Sequence, residues 1–141
     1  MFTVVRADAS SQSLARQALA VHGRRLADGE TLAAFLRDRS CYLLMAIEHH
    51  SVVGSLRGYA LRLPHRPEPQ FLLYEIDVRP NDWRRGIGKA LLDAFKKEAK
   101  AAGSREVWTV TNASNAAAMA LYGRCGFVRS HSDDVMLTAP V

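Results

Sequence analysis

Apolar residues recur at Leu14, Ala18, Val21 and Leu26, a roughly helical spacing that predicts a first helix over 14–26, weakened at Gly23. FTVVRA at 2–7 reads as a short strand before it, and Asp8 or Ser10 is expected to cap the helix. A second helix is predicted over 32–39, after a turn at Asp28 and Gly29. The pattern then changes to that of strands. CYLLMAIE (41–48), VVGSLRGYALRL (52–63) and FLLYEIDV (71–78) are short, aliphatic and tyrosine-rich, separated by HHS at 49–51 and PHRPEPQ at 64–70. Pro80 stops the third of these, and Ile87, Leu91, Ala94, Phe95 and Ala102 then share one helical face opposite Lys89, Asp93, Lys96, Lys97 and Lys100. EVWTVT (106–111) is the next strand, TNASN opens a helix over 115–124, Gly126 ends it, and FVRS with VMLT should close the sheet as a hairpin. The order β-α-α-β-β-β-α-β-α-β-β predicts an α/β (α+β) fold: a mixed, mostly antiparallel sheet of about seven strands flanked by about four helices.

At 141 residues and 48% hydrophobic content the chain suffices for one domain over 1–141 with a single core. No apolar run reaches signal-peptide length, and YLLMAI at 42–47 is too short to span a bilayer, so a cytoplasmic protein with no membrane partner is expected. Cys41 and Cys125 lie far apart without paired-ligand spacing, and His49 and His50 read as a polar turn; neither a disulfide framework nor a metal is expected. The net charge of +5 fits an anionic partner or an arginine-rich surface. Nucleic acid is not expected, because the basic residues are scattered and trace no continuous stripe with exposed aromatics.

The stretch DWRRGIGKALL at 82–92 puts two glycines where a helix is about to begin. A strand, a glycine-rich loop and a helix together aim backbone N–H groups at one point, which suits a phosphate; a tight turn needing glycine for sterics explains the same residues. Two well-known phosphate motifs fail by position, the P-loop at Trp83 and Ala90 and the dinucleotide fingerprint at Leu91. Further on, NAAAMALYGRCGF aligns Asn115, Ala118 and Tyr122 along one face of a helix, with Ala117 and Leu121 turned toward the core.

These two constellations and the strand order, over residues 31–138, resemble the GNAT superfamily of N-acetyltransferases: R-R-G-I-G after the fourth strand and N-x-x-A-x-x-L-Y-x-x-x-G-F after the fifth. One departure is Trp83, where the family usually has Arg or Gln. The resemblance implies a sheet splayed between strands 4 and 5 and acetyl-CoA as cosubstrate, with its pantetheine arm in the splay. It implies a pyrophosphate cradle from Arg84, Arg85, Gly86, Ile87, Gly88, Lys89 and Ala90, and an acetyl carbonyl meeting backbone N–H groups near Ile76, Asp77 and Val78 to stabilise a tetrahedral intermediate. Asn115 and Ala118 would then lie along the pantetheine arm, and Tyr122 would protonate the departing thiolate. An attacking amine must first lose a proton, and Glu75 and Asp77, two apart on one strand face, are the carboxylates offered for that, Glu75 first.

Within the superfamily the chain resembles the type I aminoglycoside 3-N-acetyltransferases, through the proline-bearing loop before YEIDV at 74–78, the A-x-A-L-Y segment and the acidic pair before V-M. That implies a small-molecule amine acceptor, an aminoglycoside, in a cleft lined by Glu75, Asp77, Asp133 and Asp134, and hence a part in antibiotic resistance. Alternatives are a protein or peptide amine, a polyamine, or a non-catalytic module binding coenzyme A or nucleic acid. Homodimers are common in the superfamily.

Overall fold

The computed structural model describes residues 1–26 and 28–141. Its elements run β1 (Thr3–Arg6), α1 (Gln12–Val21), α2 (Gly29–Arg37), β2 (Cys41–Glu48), β3 (Ser51–Leu63), β4 (Arg66–Val78), α3 (Ile87–Ala101), β5 (Val107–Thr109) and α4 (Ala116–Arg124), with a 3-10 turn at Pro80–Asp82. The sheet has five strands in the order β1-β2-β3-β4-β5, antiparallel except for the β4–β5 pair. The expectation of about seven strands is thereby corrected. FVRS and VMLT alternate like strands but bury no face: Val128 is 90% exposed and Leu137 85%, and a local bond from the Ser130 hydroxyl to Asp134 (3.0 Å) bends the polar stretch between them. The chain divides into two compact units, Met1–Thr109, which holds the whole sheet with α1 to α3, and Val110–Val141, which holds α4.

Local chemistry sets the helix ends. Asp28 is the N-cap of α2, accepting from the Thr31 N–H at 2.6 Å, so the predicted turn at 28 and 29 is the first step of the helix. Asp8 caps nothing; it accepts from the Ser10 N–H and hydroxyl (2.8 and 2.6 Å), which hold its carboxyl below the usual range, and Ser11 opens α1. His49 and His50 both take positive φ (49° and 64°) between the paired Glu48 and Ser51, so they form the tight hairpin turn between β2 and β3.

Helices cover both faces of the sheet. On one, Ala15, Ala18 and Leu32 of α1 and α2 pack against Leu43, Met45 and Val52. On the other, α3 buries Ile87, Leu91, Leu92, Phe95 and Ala99, and the rings of Tyr42, Phe71 and Phe95 meet at centroid distances of 5.2–5.8 Å. Full burial of each such ring or leucine stabilises by about 1.5–3 kcal/mol. Gly58 of β3 lets Phe95 come this close, since a Cβ there would lie 2.3 Å from Phe95 Cζ. No helix is long and apolar enough to cross a membrane among the described residues.

Candidate active site

On β4 the register slips. Gly58 faces Leu73 and Arg57 faces Glu75, so Tyr74 is an extra residue, a β-bulge. Strand period alone would leave Glu75 and Asp77 on the face of Phe71 and Leu73, which are 0% and 1% exposed. The bulge reverses the alternation: Glu75 and Asp77 turn to the face where α1 ends, and Val78 turns to the α3 side, near Ile87 and Leu91 around Gly54. Pairing with β5 stops at the same place, at Leu73 opposite Thr109, whose hydroxyl donates to the Leu73 carbonyl at 2.8 Å. Residues 75–78 therefore pair with β3 on one edge and with no strand on the other among the described residues. The β4–β5 pairing thus ends at Thr109, at the strand pair where the resemblance places a splay.

The loop after β4 is held open by specific bonds. The Trp83 indole N–H donates to the Val78 carbonyl at 2.7 Å, so Trp83 ties the loop to the strand it leaves. Arg84 and Gly86 take left-handed φ (62° and 79°), a conformation that glycine accepts without strain and that recurs in backbone nests that bind anions. The first bond inside α3 runs from Ala90 N–H to the Gly86 carbonyl (3.0 Å), so the N–H groups of Gly86, Ile87, Gly88 and Lys89 precede the helix ladder while that of Ala90 belongs to it. Together with the positive end of the helix dipole this suits an anion. The cations nearby differ. Arg84 is exposed with no carboxylate partner among the described residues. Arg85 is committed to Glu48 (2.7 and 2.9 Å) and to Asp82 (2.7 Å), which raise its pKa further, and it holds the Glu48 carboxyl at about 2. Lys89 pairs with Asp93 at 2.6 Å.

The acidic side carries more structure than the spacing of Glu75 and Asp77 suggests. Glu75 is 13% exposed; Oε1 accepts from Arg24 (3.1 and 3.3 Å), and Oε2 lies 2.7 Å from Arg57 Nη2, an ion pair too bent to be a hydrogen bond. His22, which ends α1, puts Nδ1 2.8 Å from Asp77 Oδ2 and 3.9 Å from Glu75 Oε1. His22, Glu75 and Asp77 could each offer one ligand atom within 4.8 Å of the others, but the two guanidinium groups already on Glu75 put positive charge where a metal ion's would lie. Beside them a cavity of about 270 Å³ is lined by Leu19, Leu26, Leu32, Phe35, Arg24 and Arg57 among others.

In the second unit Asn115 is the N-cap of α4, its side-chain oxygen accepting from the Ala118 N–H at 3.1 Å. Tyr122 is 8% exposed. Asp134 meets His131 at 3.6 Å as well as the Ser130 hydroxyl, and Asp133 is exposed. The sequence reading missed His22, Arg24, Arg57 and Glu48, each of which acts through a partner 18 to 55 residues away in the chain. One signal was available for the bulge: along one parity of β4, apolar Phe71 and Leu73 give way to Glu75 and Asp77.

The family model for the acetyltransferase (GNAT) family matches residues 9–127. The [ribosomal protein bS18]-alanine N-acetyltransferase of Salmonella typhimurium is 33% identical over 81 residues, 49% of this chain and 55% of that protein, so the chain spans about half the length of this relative. In fold the chain is similar to an aminoglycoside acetyltransferase, meta-AAC0020, from an uncultured soil metagenomic sample in complex with sisomicin (TM-score 0.89, 20% identity, 99% of this chain and 96% of that one). It is also similar to aminoglycoside N-acetyltransferase AAC(6')-Iy in complex with CoA (TM-score 0.78, 18% identity, 99% of each chain). With that match running from α1 through α4, the chain belongs to the GNAT acetyltransferase family.

Proposed function

We propose that the protein acetylates a primary amine of an aminoglycoside, at the 3-amino group, with acetyl-CoA as donor. The observation that carries this reading is the bulge at Tyr74, which turns two carboxylates away from the face that α3 covers, beside a strand edge with no sheet partner among the described residues. Acetyl-CoA supplies the activated acetyl group. The N–H groups of residues 86–89 and the exposed Arg84 suit its pyrophosphate, and the edge of residues 74–78 that pairs with no strand among the described residues suits the amide-bearing pantetheine arm. A carboxylate of the Glu75 and Asp77 pair takes the proton that an alkylammonium must lose before nitrogen can attack. Tyr122 is assigned as the acid that protonates the departing thiolate, and Asn115 and Ala118 as contacts to the arm. Asp133 and Asp134 would add negative charge for a polycationic sugar.

A second acceptor has its own support. The relative from Salmonella typhimurium acts on an alanine of a ribosomal protein, and the Glu75 charge here is already matched by Arg24 and Arg57, which lowers the demand for a polycation. Thiol release from acetyl-CoA, measured with aminoglycosides, polyamines and alanine-initiated peptides in parallel, separates the readings. Saturable release with an aminoglycoside, and a product acetylated at the 3-amino group, is the expected result. Release with the peptide alone would overturn the antibiotic reading and leave acetyl transfer standing.

A further inference from the structure

His22 ends α1 with its side chain fully enclosed, and nothing in the chemistry above uses it. A carboxylate can only accept, so the ring nitrogen 2.8 Å from Asp77 Oδ2, Nδ1, carries the proton. Nε2 is buried without a hydrogen-bond partner among the described residues. An imidazole with an unmatched buried nitrogen is a poor choice for packing alone, where leucine would do better. Its return is a donor fixed on one oxygen of Asp77, whose side chain is 52% exposed.

The neighbouring carboxylate is differently placed. Both oxygens of Glu75 face guanidinium groups, and only 13% of its side chain is exposed. An acceptor ammonium approaching Glu75 would meet the like charges of Arg24 and Arg57. Asp77 keeps Oδ1 without a partner among the described residues, on the strand edge that β5 leaves uncovered.

We infer that Asp77 is the catalytic carboxylate that takes the proton of the acceptor amine, that His22 is its positioning residue, and that Glu75 is the counter-ion that fixes Arg24 and Arg57. This rests on the acetyl-transfer reading. In the step itself one N–H bond of the ammonium breaks, its electron pair stays on nitrogen, and the proton moves to Asp77 and then to water. The titratable and charged groups facing Asp77 are His22 from α1, Arg24 just beyond it, Arg57 from β3 and Glu75 on its own strand; Ser55, opposite Asp77 on β3, is buried and neutral.

The test compares Asp77→Asn, Glu75→Gln, His22→Ala and His22→Asn in the full chain, by kcat, KM and the pH profile of kcat/KM with the best acceptor found. Asp77→Asn should lower kcat/KM by about 100-fold and remove the rising acid limb. Glu75→Gln should keep that limb, whatever it does to stability. His22→Ala should lower kcat by about 10-fold with the KM for acetyl-CoA held, and His22→Asn, whose amide nitrogen can stand where Nδ1 does, should restore most of it. A limb that vanishes with Glu75→Gln and survives Asp77→Asn overturns the assignment, as does equal impairment of the two His22 variants. Because Asp77 is half exposed, its variant carries the test even where His22→Ala does not fold. Wild-type protein that releases no thiol with any amine offered sinks acetyl transfer and this inference together, an outcome distinct from active protein with the wrong pattern of variants.

Discussion

Phe127 donates its backbone N–H to the Tyr122 carbonyl at 2.9 Å and packs its ring against the Tyr122 ring at 5.4 Å. With Gly126 left-handed (φ 85°) and its N–H on the Gly123 carbonyl (3.2 Å), the pair forms a Schellman end to α4. The G-F that closes the L-Y-x-x-x-G-F motif is therefore structural: it fixes the helix turn that carries the tyrosine assigned as acid. Gly126→Ala should cost about 1–2 kcal/mol, the strain of a left-handed L-residue. The urea midpoint reads that loss, and kcat should fall with it, since the last turn of α4 loosens.

Close approach of β3 and α3 gives a second prediction. A Cβ on Gly58 would meet Phe95 Cζ at 2.3 Å and the Leu72 carbonyl at 2.8 Å, a side chain on one side and backbone on the other. The ring can swing only by disturbing its contacts with Tyr42 and Phe71. Gly58→Ala should destabilise by about 1–3 kcal/mol, as overpacking does, and lower the thermal midpoint by several degrees. An unchanged midpoint would mean that α3 is free to shift outward.

Trp83 stands where the family usually has Arg or Gln, and its indole N–H bond to the Val78 carbonyl gives it a task that a long polar side chain would not perform in the same way. The ring itself is 61% exposed, so little burial accompanies the bond. Trp83→Phe keeps the ring and removes the donor. A net hydrogen bond is worth about 1 kcal/mol, so the thermal midpoint should fall by a few degrees, and the affinity for coenzyme A should fall by up to about fivefold as the loop loses its tie. Calorimetric titration of coenzyme A measures this directly, and an affinity equal to wild type would leave Trp83 with no part in shaping the loop.

How far these arrangements could be read from sequence depended on their range. The hairpin turn at His49 and His50, the strand before Pro80 and the stripe of α3 are local, set by turn residues and period, and were legible. The C-terminal hairpin was misread because alternation in FVRS and VMLT reports a strand only where a face is buried, and Val128, Val135 and Leu137 are exposed. Spacing put Glu75 and Asp77 on one face, and they do share one, yet which face depends on an extra residue at Tyr74 that only the pairing with β3 reveals. Arg85 illustrates the same limit. Its position beside two glycines suggested a phosphate ligand, while its actual partners, Glu48 and Asp82, come from the end of β2 and from the 3-10 turn.

Those partners make a pH prediction with a definite sign. Hydrogen bonds from the Arg85 guanidinium, and next from the N-terminal amine, hold the Glu48 carboxyl at about 2 against an ordinary 4.5. A carboxyl depressed in the folded chain binds protons more readily once unfolded, so it contributes stability that is complete above its ordinary value and disappears as pH falls toward the folded one. Glu48→Gln removes the charge at every pH. Wild type should therefore exceed Glu48→Gln in stability by a constant margin from neutral pH down to about pH 5, and the margin should shrink toward pH 2. Urea unfolding of both proteins across that range follows it. Since Arg85 also roots the loop before α3 through Asp82, the variant should bind coenzyme A more weakly at neutral pH as well, and the two losses should rise together in high salt for wild type. A margin that stayed flat from pH 5 to pH 2 would mean that Arg85 and Glu48 part in solution, and that Arg85 is free to reach a phosphate after all.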